Sequence, residues 1–391
     1  MPKKAYERNI WKYYFFVFFK NLTLILPIYM LFFLENGLSL TQAMFLFTAM
    51  SVIGLILEIP SGVFADLYGR KLSLMFGAII LFIGCFIRAA ATNFIGFLIA
   101  ICTASIGFAF ISGADNAFLY DSLKEIKKEH LFKKIAGTSF FLNTGAMAVG
   151  AFIGGLLTVY GLRTVHYAML IPMGALIFVS LTLKEPKLYK KVIKSNYLQH
   201  LRGGLIFSFT NKKVRNLILF SGFMIGLMMT SHQLFQPYMK DMGIDMINFG
   251  WIYLIFLGIA AVSAKSAYLI ESRLGEKKSI IIIPIILTLQ FLLMSQFSFY
   301  LAFLFIFFGE FTWGFTSPII GHYINEHVES YQRATVLSIN AMSELVIWAV
   351  FAPFIGWVAD LWSLQTAFLA LGIIVAIIAV IILSGWRLRK H

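Results

Sequence analysis

The amino-acid sequence predicts an all-α integral membrane protein of twelve transmembrane helices, arranged as two six-helix pseudo-symmetric bundles. Three observations predict it. First, 60% of the 391 residues are hydrophobic and only 13% are charged, with mean hydropathy +0.84, more apolar side chain than a water-soluble core can hide. Second, twelve apolar runs are each long enough to cross a bilayer as a helix, which takes roughly 20 residues. Third, the halves share a faint repeat: AFIG at 151–154 returns as PFIG at 353–356, and GRK at 69–71 returns as GEK at 275–277.

The first six runs lie at 12–34, 41–64, 72–91, 94–121, 136–158 and 163–183, and the second six at 216–238, 249–271, 279–298, 300–323, 335–358 and 363–385. An even number puts both termini on one side. Of the 32 Lys and Arg, Lys20, Arg88 and Lys265 fall inside spans, and Arg163 and Lys240 fall in loops on one side. All the others lie on the opposite side, which the positive-inside rule makes the cytoplasm. The net charge of +14 is thereby explained by topology, and 41 Phe against 7 Trp suits hydrocarbon-facing helices, so no nucleic-acid partner is expected. The basic start MPKK leads into a run too long for a signal peptide, with no small-residue cleavage site after it, and reads as an uncleaved first span. Cys85 and Cys102 fall in spans 3 and 4 as packing residues. No metal or cofactor is expected.

Residues 184–215 interrupt the pattern with KEPKLYKKVIKSNYLQHLRGG, in which Tyr197, Leu198, Leu201 and Leu205 recur at helical spacing. This reads as a cytoplasmic linker whose helix lies partly on the bilayer surface. The expected organisation is an N-terminal bundle at 1–183, the linker at 184–215 and a C-terminal bundle at 216–391. Parallel repeats of this kind place a substrate site near mid-membrane between the halves and work by rocking one half against the other.

The loop between spans 2 and 3 reads GVFADLYGRK, residues 62–71. Asp66 follows the cytoplasmic end of span 2, the negative end of that helix dipole, so its charge calls for a positive group from elsewhere. The N-terminus of another helix would serve, and Gly62 would let that helix approach closely. Gly69 permits the tight turn, while Arg70 and Lys71 hold the loop in the cytoplasm and can reach acids on neighbouring helices. The stretch resembles the loop 2–3 signature of the major facilitator superfamily, G-x-x-x-D-x-x-G-R-[RK], matched at Gly62, Asp66, Gly69, Arg70 and Lys71. The resemblance implies that Asp66 docks on the start of span 11, near Thr335, and that Arg70 pairs with Asp121 at the inner end of span 4. It also implies a monomer. The second-half copy, ESRLGEKK at 271–278, has Ser272 in place of the acid and Glu276 in place of the Arg, so it does not repeat the latch.

GAMAVGAFIGG at 145–155 resembles the antiporter signature ending G-P-x-x-G-G, with Gly150, Gly154 and Gly155 in register and Ala151 in place of the proline. Close helix packing explains these glycines equally well. Ionisable residues inside spans are costly in lipid unless they face a cavity or a partner. Lys20 and Asp115 lie at similar depths in spans 1 and 4, with Asn116 beside them, and can pair. Glu310, flanked by Trp313 and Gly314 in span 10, and Glu344 in span 11 are candidate proton carriers. Glu58 joins the cytoplasmic gate. Arg88 and Lys265 read as anchors that snorkel, His232, Gln233 and Gln236 as an outer gate or a capped helix end, and His322 as interfacial.

No GxxxxGK[ST] loop occurs, so an ion gradient, simplest a proton gradient, must supply the energy. The leading expectation is a proton-coupled transporter of the bacterial inner membrane that exports small organic compounds, like drug:proton antiporters. An alternative is a proton-coupled importer of an anionic metabolite or iron chelate, using Lys20, Arg88 and Lys265. A third is a receptor that keeps the fold without transport.

Overall fold

The computed structural model describes residues 2–187, 197–329 and 332–385, and among them the regular elements are α-helices and short 3-10 turns. Among the described residues, eleven helical stretches are long and apolar enough to cross a membrane. One of them, Met246–Gln296, runs for 51 residues and is two helices meeting at Gly275, whose φ of 75° is not helical. Counted as spans 8 and 9, it brings the total to the twelve predicted. Span 2 (Leu40–Tyr68), span 3 (Arg70–Ala90), span 5 (Phe132–Leu157), span 7 (Lys212–Asp241), span 10 (Ile306–His327), span 11 (Arg333–Leu361) and span 12 (Leu364–Gly385) are single helices. Span 6 is Leu162–Ala168 followed by Leu170–Thr182.

Spans 1 and 4 are interrupted. Span 1 is a helix Pro2–Asn21, a 3-10 turn Leu26–Ile28 and a helix Tyr29–Glu35. Pro27 lacks an N–H and crowds the preceding turn, which favours the break after Asn21. Span 4 is Phe94–Ser112 and Asp115–Glu125, divided at Gly113 and Ala114. Local capping starts other helices where the sequence offers it: Asn93 accepts from the Gly96 N–H, and Asn211 from those of Lys213 and Val214. Those bonds satisfy N–H groups that a helix start leaves open. The GRK and GEK repeats share a backbone feature, since Gly69 (φ 113°) and Gly275 (φ 75°) both occupy conformations that favour glycine.

The packing divides the chain into two compact units. The first gathers Met1–Leu38, Val52–Lys190 and Asp245–Leu254, and the second Ser39–Ser51, Lys191–Ile244 and Ile255–His391. Span 2 up to Ser51 therefore packs with the second unit, and the start of span 8 with the first. Helices in lipid gain little from expelling water and associate through close van der Waals contact, which small residues permit. In the first unit a Cβ on Gly77 would lie 2.7 Å from the Gly107 carbonyl oxygen, where spans 3 and 4 meet. In the second, Cβ atoms on Gly222 and Gly226 would lie 2.8 Å from side-chain atoms of Ser343 and Ile347, where spans 7 and 11 meet.

One expectation changes in the folded chain. Arg88 does not snorkel: it is 5% exposed, donating to the Tyr29 hydroxyl at 3.1 Å and to the Cys85 sulfur at 3.4 Å. Its guanidinium also lies over the Tyr29 ring. Being in the last turn of span 3, it is favoured by that helix's dipole, so burial needs no carboxylate. Of the linker, residues 188–196 lie outside the described ones, and Tyr197–Thr210 is a helix whose Gly204 packs on Thr335 of span 11. Lys265 and His322 are exposed.

Candidate functional site

In the first unit the two broken spans bring an ion pair together. Lys20 Nζ lies 2.7 Å from Asp115 Oδ2, both side chains largely buried. Lys20 stands in the last turn of the helix ending at Asn21, and Asp115 in the first turn of the helix it opens. Each charge is thus favoured by the dipole of its own helix end as well as by its partner. Asp115 Oδ1 also accepts from the Asn116 N–H, and the Asn116 side chain accepts from the Tyr13 hydroxyl at 3.5 Å. At the break, a Cβ on Gly113 would lie 3.3 Å from the Gly62 backbone N. Gly62 itself faces open space; the helix that approaches it closely is span 4, and it meets the backbone.

The loop 2–3 residues form a charged cluster. Arg70 Nη2 lies 2.6 Å from Asp66 Oδ1 and its Nε 3.5 Å from Asp121 Oδ2, so one guanidinium joins the ends of spans 2 and 4. Asp66 is 46% exposed. A residue that the sequence reading passed over completes the cluster: Glu185 accepts from the backbone N–H groups of Arg70 at 2.9 Å and Lys71 at 2.8 Å. Asn9 positions it, donating to the Lys184 carbonyl and accepting from the Lys184 N–H. Burial pushes the Glu185 carboxyl above its usual range, and the backbone N–H groups of Lys71, Arg70 and Leu72 pull it back. Gly69 suits the place twice over, since its φ of 113° favours glycine and a Cβ there would lie 3.0 Å from the Glu185 carboxyl. The signal was an acid standing alone in a basic linker. Glu58 lies about a turn outward from Gly62 and is exposed, with the Ser61 hydroxyl donating to its carbonyl.

The span 5 glycines serve close packing. Cβ atoms on Gly150 and Gly154 would lie 2.7 Å from the Thr23 backbone N and the Leu24 carbonyl carbon, so both seat in the break of span 1. Gly155 faces another way, 2.6 Å by the same measure from the Gly250 backbone N of span 8.

In the second unit, Glu310 is 7% exposed and its Oε1 lies 3.4 Å from His232 Nε2 of span 7. The His232 ring packs against Trp313 at 4.9 Å and Phe235 at 5.1 Å. The histidine is the partner of the span 10 acid, a pairing that no sequence spacing announces. Gln236 is buried. Glu344 sits in a neutral setting: Ser221 Oγ and Asn340 Nδ2 each donate to its Oε1 at 2.7 Å.

A family model described as Major Facilitator Superfamily matches residues 13–282 and 218–391. The chain belongs to that superfamily. An uncharacterized transporter of Buchnera aphidicola subsp. Schizaphis graminum (strain Sg) is 24% identical over 204 residues, 51% of this chain, and the chain spans 49% of that relative's length. Among solved structures, a mutant form of the nucleoside transporter NupG superposes with a TM-score of 0.85 at 14% identity, over 97% of this chain and 100% of that one. A bacterial homolog to the human lysosomal transporter Spinster gives 0.72 and the D-xylose-proton symporter 0.71, each at 14% identity over 97% of both chains. At that identity these likenesses show the fold. Membership of the superfamily fits the chain's many long apolar helices and makes it a multi-pass membrane protein of a transporter family.

Proposed function

We propose that this transporter is proton-coupled, works by alternating access, and exports small organic compounds from a bacterial cytoplasm, its termini on the cytoplasmic side of the inner membrane and the chain acting as a monomer. The observation that carries the reading is the Glu310–His232 pair, 3.4 Å apart in the interior of the second unit. With one proton between them the two groups are either both neutral or an ion pair, and an apolar interior tolerates either form. Removing that proton leaves a bare carboxylate and adding a second leaves a bare imidazolium, each costing several kcal/mol there. The pair therefore holds one proton until something else meets the acid. An organic cation stacked on the Trp313 face would do so, and proton and substrate would then compete for Glu310. Glu344, already satisfied by Ser221 and Asn340, serves as a second acid.

Uptake of an anionic metabolite or iron chelate is the competing reading, and it draws on Lys20. That ammonium is already bound by Asp115, and Arg88 is enclosed by Tyr29 and Cys85, so neither is free to receive an anion, which favours export. The test is purified protein in proteoliposomes with a pH dye inside, challenged with lipophilic cations, neutral antibiotics, polycarboxylates, nucleosides and pentoses. Protons should leave an acidic lumen when a lipophilic compound is added outside, and Glu310→Gln should reduce that signal at least tenfold. A signal confined to polycarboxylates, with proton and substrate moving together and the response lost in Lys20→Ala, would replace export by uptake.

A further inference from the structure

We infer that Asp360 is an outer latch, closing the seam between spans 2 and 11 by capping the start of span 2, and that transport requires this cap to open. The inference rests on the reading of the protein as an alternating-access transporter.

The start of span 2 is capped from two sources. Within its own chain segment Ser39 and Gln42 form a reciprocal box: the Ser39 N–H donates to Gln42 Oε1, and the Gln42 N–H to Ser39 Oγ. That leaves the N–H groups of Leu40 and Thr41 open at the positive end of the helix. Asp360 takes both. Its Oδ1 accepts from the Leu40 N–H at 2.9 Å, and its Oδ2 from the Thr41 N–H at 2.8 Å and the Thr41 hydroxyl at 2.5 Å. Asp360 is 320 residues away in sequence and stands next to the last residue of span 11. There its own helix dipole disfavours a negative charge. The carboxylate exchanges an unfavourable helix end for a favourable one, and charge-assisted bonds of this kind are the stronger sort.

Below the cap the two helices run antiparallel with their backbones close. A Cβ on Gly356 would lie 2.9 Å from the Leu40 carbonyl oxygen. Thr48 Oγ donates to the Ala349 carbonyl at 2.7 Å, and Phe47 packs on Trp348. These are neutral contacts of a sliding surface. The charge is confined to the end. All of the seam lies within the second unit.

Asp66 stands in the same relation to its helix as Asp360 does, near the C-terminal end of span 2. In this structure Asp66 is held by Arg70, and Gly204 packs on Thr335 in the first turns of span 11. The Asp360 cap, by contrast, reaches another helix, the start of span 2.

The experiment reads accessibility rather than transport, so it can fail independently of the proton-coupled reading. Thr48→Cys, in a Cys85→Ala, Cys102→Ala background, places a thiol in the seam. Its alkylation by a membrane-impermeant maleimide added outside intact cells should be slow with Asp360 present and at least tenfold faster in Asp360→Asn, equivalent to about 1.4 kcal/mol. Thr41→Ala, which keeps both backbone bonds, should raise the rate less, and serves if Asp360→Asn does not reach the membrane folded. Equal labelling rates with and without Asp360→Asn, in proteins of the same thermal stability, or with and without Thr41→Ala where that is the variant used, would overturn the latch.

Discussion

Lys20 and Asp115 differ from Glu310 and His232 in what their own helices do to them. The first two stand at helix ends whose dipoles favour their charges; the second two stand in helix interiors, away from any such end. The first pair therefore joins the broken spans, and the second is the pair to which the proposed function assigns the proton. Lys20→Ala leaves a buried carboxylate without its cation and should cost about 3–5 kcal/mol. Replacing both, as Lys20→Met with Asp115→Leu, should recover most of that loss, because no charge remains buried. Thermal unfolding in detergent of the two single variants and the double checks this. Additive losses would show that the pair does not act as a unit. Of these residues the sequence identified the acids and the lysine through their cost in lipid, and it missed His232 as a partner because spans 7 and 10 are far apart along the chain.

The interruptions of spans 1 and 4 decide where such groups can sit, and one helix explains how a break is tolerated. Gly150 and Gly154, a turn apart on span 5, seat against the backbone of Thr23 and Leu24, filling the space beside the non-helical segment. Gly154→Ala would push a methyl to 2.7 Å from the Leu24 carbonyl carbon, a backbone atom that cannot swing aside, and overpacking of that kind costs about 1–3 kcal/mol. Gly137 on the same helix has nothing within 4 Å of its Cβ position. Gly137→Ala should be neutral or stabilise by up to about 1 kcal/mol through helix propensity. A lower melting temperature in both variants would contradict the packing account. The pattern Gly150, Gly154, Gly155 was legible in sequence, and its resemblance to an antiporter element suggested a role in the cycle. That two of these glycines serve span 1 while the third meets Gly250 became legible only when the helices were placed.

At the scale of the whole molecule the direction of transport is the decisive observable. Everted membrane vesicles driven by a proton gradient should accumulate a compound that intact cells exclude, and both effects should disappear in Glu310→Gln; accumulation by the intact cells would mean uptake. The sequence by itself determined the membrane class, the twelve spans and the loop 2–3 motif, because hydropathy and turn glycines act over a few neighbouring residues. Tertiary structure alone decided that Glu185 caps span 3, that His232 faces Glu310, that Arg88 is enclosed, and that Asp360 caps a helix beginning 320 residues earlier. Each of those depends on which polar group of one helix meets an unsatisfied group of another, and such groups cost enough when left open that distant chain segments are brought together to fill them.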